Sequence, residues 1–521
     1  MNVNSIKNFC DEKTLDNPKE PLESKIKTKI TLRKKKLMEE IHNKRMYYLE
    51  QINFDSKTKL NPEYRFKYQK FEQNYNQIIS YLTSKDNDLI TYALNELRIY
   101  FIYNIPNANE QKIIIDNKLL SILLNLGKNL IEQKNKENLK QVLWILVNIP
   151  ILKDGFGEYL NILYSKEFLD FYNDSLIFGN DTECFNLIGN ILYSLIENNS
   201  KLNLLLLRSN IFLSILDYYK AQNEIEINNK LLTFEIINYC IDLLDQEPLI
   251  EEKDIPIINR CLDILIEQFS CSNNVEVLYQ IYLGICYISG LDLDYNFNQK
   301  IINEGVTLKI LKKKFYLLKT NKQLLRIIDL AMRILLNNLS CTDEDCQIIY
   351  DHNIIDYYNK ILIKFDDDPK ILINVLMGLT NISVGKNRNE ISKSIIWDEQ
   401  KIQKYCNLDD SIRIEFIRVV SFLIYNADLD MLKFIYKTKI IQYLIYIFNT
   451  MNMSDVVYQK ILKLIDSYLS KFDEKDRENE EFRLIFEKFH ELFTFSDKVN
   501  QLDCLELILD IGKNLKNHYK N

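Results

Sequence analysis

A chain of 521 residues is several times the usual length of one domain, so it must hold several domains or an array of repeats. Its 11 glycines and 8 prolines are too few for the turns of all-β or Rossmann-type folds, while 47% hydrophobic and 27% charged residues are typical of a folded protein. The net charge of −7 divides unevenly, because residues 1–50 carry 12 basic and 8 acidic side chains and leave −11 on the rest.

Residues 1–60 form a predicted basic arm that we expect to be partly disordered. Between positions 25 and 36 the arm carries seven basic residues and no acidic one. The cluster is either a solvated tail or a detachable ligand for an acidic partner or for the chain's own binding surface. The basic positions of the arm are Lys25, Lys27, Lys29, Arg33, Lys34, Lys35, Lys36, Lys44 and Arg45.

Two observations predict the compartment of the protein. No apolar signal core opens the chain, and no segment reaches the roughly 18 apolar residues that a membrane span needs. We therefore expect a cytosolic or nuclear protein with no membrane insertion.

Residues 70–470 show apolar side chains at helical spacing, separated by short polar turns. An apolar helix with Asn or Tyr near its end recurs, with steps of 42, 48, 49, 51 and 43 residues between the marked positions. This is close to the period of armadillo and HEAT repeats, which stack into one continuous core. The marked positions are Asn148, Asn190, Asn238, Tyr287, Asn338 and Asn381.

The marked residues predict a ladder of amides. If their helices line the inner face of the stack, each amide offers a donor and an acceptor to the backbone of an extended peptide. The chain is rich in Asn throughout, so some of these positions can be accidental, but five recurrences in register favour a ladder.

The sequence gives no sign of catalysis, metal binding or a cofactor. The ten cysteines are scattered singly on apolar helix faces, as Cys184, Cys240, Cys286 and Cys504 are, and we interpret them as reduced core residues. Cys341 and Cys346 with His352 have a spacing unsuited to zinc. The four histidines are far apart, and no phosphate-binding loop, GxSxG or HExxH occurs, so we do not expect an enzyme.

The chain resembles the importin alpha family over nearly its whole length. Its most specific motif is Thr380-Asn381-Ile382-Ser383-Val384-Gly385-Lys386-Asn387-Arg388, which is similar to the family's seventh repeat. The resemblance implies an all-α, right-handed superhelical solenoid of about ten armadillo repeats, with capping helices and an acidic segment in residues 471–521. It also implies that the arm binds an importin-beta-type carrier, that cargo carries a nuclear localisation signal, and that an export receptor binds the C-terminal end.

In that family a Trp lies four residues before each ladder Asn, and lysines of the signal lie between the Trp rings. Of these Trp positions only Trp144 holds a Trp here. The positions four residues before Asn190, Tyr287 and Asn338 are occupied by Asn186, Leu283 and Ile334. Phe234 could still stack on a lysine stem and Met377 could pack against one. Arg418 and Phe422 replace both members of the next pair, while Glu415 matches an acidic position of the second site. The predicted groove residues are Trp144, Asn148, Asn190, Phe234, Asn238, Tyr287, Asn338, Met377, Asn381 and Glu415.

Two functional hypotheses follow. The first is a nuclear import adaptor that shuttles between cytoplasm and nucleus, binding signal peptides in a concave groove and its carrier through the arm. The second is an armadillo scaffold that has lost lysine-rich recognition and binds another peptide or helical partner. Direct binding of nucleic acid is not expected, because the acidic body would repel the polymer.

Overall fold

The computed structural model describes the chain in segments that begin at residue 71. These are residues 71–103, 108–149, 157–198, 203–222, 225–242, 250–291, 297–312, 322–339, 353–365, 367–384, 399–425 and 427–441, with isolated positions between 347 and 468. The basic arm and the predicted C-terminal segment 471–521 lie outside the described residues. Their predicted boundaries stay predictions.

The chain divides into two compact units, residues 1–77 and 78–521. Of the first unit only the opening of one helix is described, so the fold that follows is that of the second unit. Within the described residues every regular element is helical. The α-helices are α1 Phe71–Leu82, α2 Asn87–Tyr103, α3 Ala108–Asp116, α4 Leu119–Glu132, α5 Lys136–Asn148, α6 Lys166–Gly179, α7 Thr182–Asn198, α8 Asn203–Leu207, α9 Asn210–Ala221, α10 Ile227–Asp242, α11 Ile255–Cys271, α12 Val275–Ser289, α13 Phe297–Asn303, α14 Val306–Lys312, α15 Lys322–Asn338, α16 Ile354–Lys364, α17 Pro369–Val384, α18 Glu399–Asn407, α19 Asp410–Tyr425 and α20 Leu429–Lys437; two 3₁₀ helices span Gly157–Tyr164 and Glu252–Asp254.

Eight of these helices pack on one another in chain order and are called the row helices here. They are α2, α5, α7, α10, α12, α15, α17 and α19. A second row, α4, α6, α9 and α11, packs in the same sequential way, and each of its members also contacts the row helix that follows it in the chain. Sequential packing of this kind is the architecture of a helical solenoid, which confirms the predicted fold class.

The repeat unit is visible in three complete examples, each with a short helix, a second helix and a row helix. They are α3 to α5, α8 to α10 and α13 to α15, and in the last two the short helix packs on its own row helix. From α5 onward the row helices begin at 136, 182, 227, 275, 322, 369 and 410, so one unit takes 41–48 residues. This three-helix unit and its length are those of armadillo repeats.

Local sequence explains where the row helices begin. Asn135 caps α5 by accepting a hydrogen bond from the amide of Asn138 at 3.2 Å, and Asn274 caps α12 through the amides of Glu276 and Val277. Asp181 lies in the same position before α7, where its carboxylate accepts from the Cys184 amide at 2.8 Å. Such side-chain caps each stabilise a helix by about 1 kcal/mol.

Each helix contributes the apolar side chains of one of its sides to the core, and most of its polar side chains face outward. In α15, Ile327, Ile334 and Leu335 are completely buried while Arg326 and Arg333 are exposed. Burial of one such aliphatic side chain contributes about 1.5–3 kcal/mol, so the continuous stripe holds neighbouring units together. Among the described helices, none combines the length and apolar character needed to cross a bilayer.

Close packing between the row helices α10 and α12 needs a glycine. A methyl group on Gly284 of α12 would overlap the amide oxygen of Asn238 on α10 and would lie 2.7 Å from Leu265 Cδ1. A larger residue at position 284 would therefore push α10 and α12 apart.

Candidate functional site

The surface side of the row helices, called the row face here, is where the sequence predicted an amide ladder. Three of the ladder residues do not lie on it: Asn148 is 1% exposed, Asn238 is 3% exposed and Asn338 is completely buried. Their amides bind partners inside the protein rather than facing a ligand. The structure therefore places these three asparagines in the core and not on the surface, and their role in holding a peptide backbone stays a prediction.

The internal bonds show what the buried amides do instead. Asn148 Nδ2 donates to the Trp144 carbonyl at 2.8 Å, and Asn338 Nδ2 donates to Thr307 Oγ1 at 2.7 Å. Asn238 Nδ2 joins α10 to α12 by donating to both the carbonyl and the side-chain oxygen of Gln280, at 2.9 and 2.8 Å. The bonds of Asn238 and Asn338 join neighbouring helices, whereas the bond of Asn148 lies within α5.

The residues beside two of these asparagines occupy the row face. Tyr239 and Asn337 are partly exposed, and Asn337 Nδ2 donates to Ser289 Oγ on the preceding row helix at 2.8 Å. A one-residue step turns a helix by about 100°, which is enough to exchange a surface position for a core position. The sequence carried a signal for this register, because Arg326, Asp329 and Arg333 mark the polar side of α15.

Three predicted ladder residues do lie partly exposed on row helices. They are Asn190, Tyr287 and Asn381. Asn190 Nδ2 donates to the Asn186 carbonyl at 2.7 Å. The hydroxyl of Tyr287 bonds the carboxylate of Asp242 on the neighbouring helix. Three of the six predicted ladder positions are thus partly exposed, and they carry two amides and one phenol.

The predicted aromatic positions are also changed by packing. Phe234 is completely buried, with its ring 5.5 Å from that of Tyr219, so it is a core residue and cannot stack on a ligand. Trp144 is 8% exposed, and the Arg98 guanidinium of α2 lies over its ring at 6.0 Å from the centroid. Its aromatic face is therefore already in contact with a cation of the same chain.

Two predicted residues lie toward the C-terminal end of the row face. Met377 is partly buried on α17. Glu415 on α19 is partly buried as well, and Arg418 Nη1 lies 3.0 Å from both of its carboxylate oxygens. Burial raises the pKa of Glu415, while the charges of Arg418 and Lys460 oppose that rise. The carboxylate is thus already partnered by a cation of its own helix.

Apart from Tyr287, sequence reasoning missed a group of partly exposed side chains on α7, α10 and α12, called the acidic tyrosine patch here. The rings of Tyr193 and Tyr239 meet edge to face at 5.5 Å across α7 and α10. Glu235 lies one turn before Tyr239 on α10, and Asp242 joins Tyr287 across α10 and α12. The members of the patch are Tyr193, Glu235, Tyr239, Asp242, Tyr279 and Tyr287.

The charged residues of these three helices are mostly acidic. Together α7, α10 and α12 contain five acidic residues and one basic residue, Lys230, whose ammonium group bonds Gln268 of α11 at 3.2 Å. Burial raises the pKa of Asp242, and the hydrogen bond from Tyr287 opposes that rise. The patch therefore combines aromatic faces with carboxylates and has no basic side chain of its own.

Basic side chains lie on α2 and α5, the two row helices that precede the patch in the chain. Lys136 Nζ lies 2.7 Å from Asp181, and Lys140 Nζ lies 2.5 Å from Glu183. Burial alone would raise the pKa of Asp181, but the Cys184 amide and the two lysine ammonium groups lower it to about 2. This end of the row face is held by ion pairs between neighbouring units.

No group of three or more His, Cys, Asp and Glu side chains suited to a metal ion occurs in the described part of the chain. The thiols of Cys184, Cys240 and Cys286 are free and buried, as the sequence indicated, and burial raises their pKa values. Cys341, Cys346, His352 and Cys504 lie outside the described residues.

Comparison with known proteins bears on the fold alone. No protein-family model and no curated protein sequence matches the chain. A crystal structure of an engineered protein from a structural genomics consortium superposes with a TM-score of 0.61 at 16% identity, covering 85% of this chain and 98% of that one. A designed armadillo repeat protein gives a TM-score of only 0.38 at 14% identity, covering 49% and 98%, and adds no weight. The first likeness agrees with the helical solenoid described above.

Proposed function

We propose that this chain is an armadillo-repeat adaptor that binds an extended basic polypeptide at the acidic tyrosine patch. The observation that carries the proposal is the composition of α7, α10 and α12, which contain five acidic residues against one basic residue and place tyrosine rings beside Glu235 and Asp242. Function resides in the sites that a fold carries and not in the fold itself, so we place ligand binding at this surface.

The physical fit of a basic ligand has two parts. A lysine or arginine over a tyrosine ring gains about 0.5–1 kcal/mol at an exposed site and more when water is excluded. Glu235 and Asp242 add attraction for the same charges, which speeds encounter and makes binding weaker at high salt. The long stems of basic side chains can also lie along the apolar parts of the rings.

The finer proposal is nuclear import. Cargo would supply a basic localisation signal to the patch, and an importin-beta-type carrier would bind the arm through the basic positions between Lys25 and Arg45. The sequence motifs of the arm and of residues 380–388 support this proposal, as does the acidic character of the patch. The protein would then move between cytoplasm and nucleus.

A peptide titration tests the binding surface. A fluorescent peptide rich in lysine and arginine is titrated with the full chain and with the double variant Glu235→Gln and Asp242→Asn, in which the new amide still accepts from Tyr287. We expect affinity to fall about fivefold to tenfold at low salt. The matched control is Asp170→Asn with Asp174→Asn on α6, which removes the same charge from a helix of the second row. Equal affinity for all three proteins, or no binding of the basic peptide, contradicts the proposal.

A deletion tests the carrier. A pull-down with an importin-beta-type carrier compares the full chain with a variant that lacks residues 20–50. Loss of binding on deletion supports the adaptor. A full-length chain that never binds the carrier refutes it.

Buried asparagines and the covered Trp144 favour a second candidate, the scaffold that has lost lysine-rich recognition. With Asn148, Asn238 and Asn338 inside the protein, few amides remain for a peptide backbone. Such a scaffold would bind a helical or uncharged segment through the tyrosines. It predicts that the basic peptide does not bind, whereas the adaptor predicts that it does.

A further inference from the structure

The ring of Trp144 is an obvious place for a cationic ligand group, yet it already has a cationic neighbour. Arg98 lies on α2, the row helix before α5, and places its guanidinium carbon 6.0 Å from the centre of the Trp144 ring. Trp144 is 8% exposed and Arg98 is partly buried. A guanidinium at this distance over an indole makes a favourable cation–π contact.

Surrounding charges keep Arg98 in place and repel a second cation. Burial lowers the pKa of Arg98, and the negative charge of Glu183 on α7 opposes that change. Glu183 is itself paired with Lys140 at 2.5 Å, so its charge is shared between two cations of this chain. A further basic side chain at Trp144 would have to displace Arg98 while facing Lys140.

We infer that Arg98 is a built-in occupant of the Trp144 ring, which excludes basic side chains of a ligand from α5. This is a specificity role: a basic polypeptide is confined to the acidic tyrosine patch on α7, α10 and α12. The confinement of a basic polypeptide to the acidic tyrosine patch rests on the proposed function. The exclusion of a ligand cation from the Trp144 ring rests on the position of Arg98 alone. A cation–π contact of ordinary strength corresponds to a twofold to thirtyfold change in affinity.

The first experiment measures access to the ring without any peptide. Trp397 is the only other tryptophan in the sequence, so Trp397→Phe leaves Trp144 as the sole indole. In this background, quenching of Trp144 emission by cesium ions is compared for the parent, Arg98→Met and Arg98→Lys. Methionine keeps an apolar stem without the charge, and lysine keeps the charge. We expect cesium to quench Arg98→Met at least threefold more strongly than the parent, with Arg98→Lys close to the parent.

The second experiment uses hexalysine as the ligand. We expect Arg98→Met to bind hexalysine about threefold to tenfold more tightly than the parent, and the gain to disappear when Arg98→Met is combined with Trp144→Leu, which removes the aromatic ring. Hexalysine should change Trp144 emission in Arg98→Met but not in the parent. Circular dichroism checks that each variant keeps its helix content, and if Arg98→Met does not fold, Arg98→Gln replaces it.

Any of three outcomes overturns the inference. The first is that cesium quenches the parent and Arg98→Met equally, and the second is that hexalysine already changes the Trp144 emission of the parent. The third outcome is that the parent and Arg98→Met bind hexalysine with equal affinity. Failure of the proposed function looks different. If hexalysine does not bind the parent at all, the acidic tyrosine patch is not a basic-ligand site, and the cesium comparison still decides the role of Arg98.

Discussion

Two adjacent asparagines, Asn337 and Asn338, allow the register of the row face to be tested. Asn338 is completely buried and donates to Thr307 Oγ1 at 2.7 Å. Its replacement by alanine loses a hydrogen bond worth about 1 kcal/mol and leaves the buried Thr307 hydroxyl without this partner, which costs about 1–3 kcal/mol. The Asn338 Oδ1 atom has no hydrogen-bond partner among the described residues, so its removal returns part of that cost. We expect Asn338→Ala to lower the free energy of unfolding by about 2 kcal/mol.

The matched variant is Asn337→Ala, on the row face. Its bond to Ser289 Oγ is partly buried, so we expect a loss of only about 0.5–1 kcal/mol. Asn338→Ala should leave the affinity for a bound polypeptide unchanged, because this side chain does not reach the surface.

Urea unfolding followed by circular dichroism measures the stability of both variants. Because a repeat array can open unit by unit, hydrogen exchange of the amides in α14 and α15 should locate the loss in those helices. The reasoning is refuted if Asn338→Ala is as stable as the parent, or if it is the variant that loses ligand affinity.

Three further changes have expected results. Gly284→Ala should lower the thermal unfolding midpoint, at a cost of about 1–3 kcal/mol, because its methyl group overlaps the Asn238 amide. Asp181→Ala should lower stability at neutral pH by about 1–2 kcal/mol in urea, through loss of a helix cap and two ion pairs. Asp254→Asn should lower stability by about 2 kcal/mol in urea, because this fully buried carboxylate binds the Arg208 guanidinium at 2.7 and 2.8 Å.

Each of these changes has its own check. Gly290→Ala is the control for Gly284→Ala, since a methyl group there meets no atom closer than 3.5 Å, and equal destabilisation by both would contradict the packing argument. The folded pKa of Asp181 is about 2 against an ordinary 3.8, so its stabilisation is present above pH 4 and is lost as the pH falls toward 2. A difference between parent and Asp181→Ala that persists below pH 2 would contradict this assignment. For Asp254→Asn, an unchanged urea midpoint would show that the Arg208 pair adds nothing.

The sequence by itself determined the helical content, the repeat and its length. These follow from local properties: apolar side chains at helical spacing make each helix amphipathic, few glycines and prolines interrupt it, and a recurring pattern marks each row helix. The buried free cysteines were predictable for the same reason, since they lie on apolar helix faces. None of these conclusions depends on how one helix is rotated against the next.

The tertiary structure alone decided which residues reach the row face. Rotation by one residue separates Asn338 in the core from Asn337 on the surface, and packing between units, rather than the marked pattern, fixes that rotation. The cation on Trp144 comes from Arg98, 46 residues earlier, and becomes its neighbour only when α2 packs against α5. Helix formation is a local choice, whereas the chemistry of the binding face depends on contacts between repeats that are distant in the sequence.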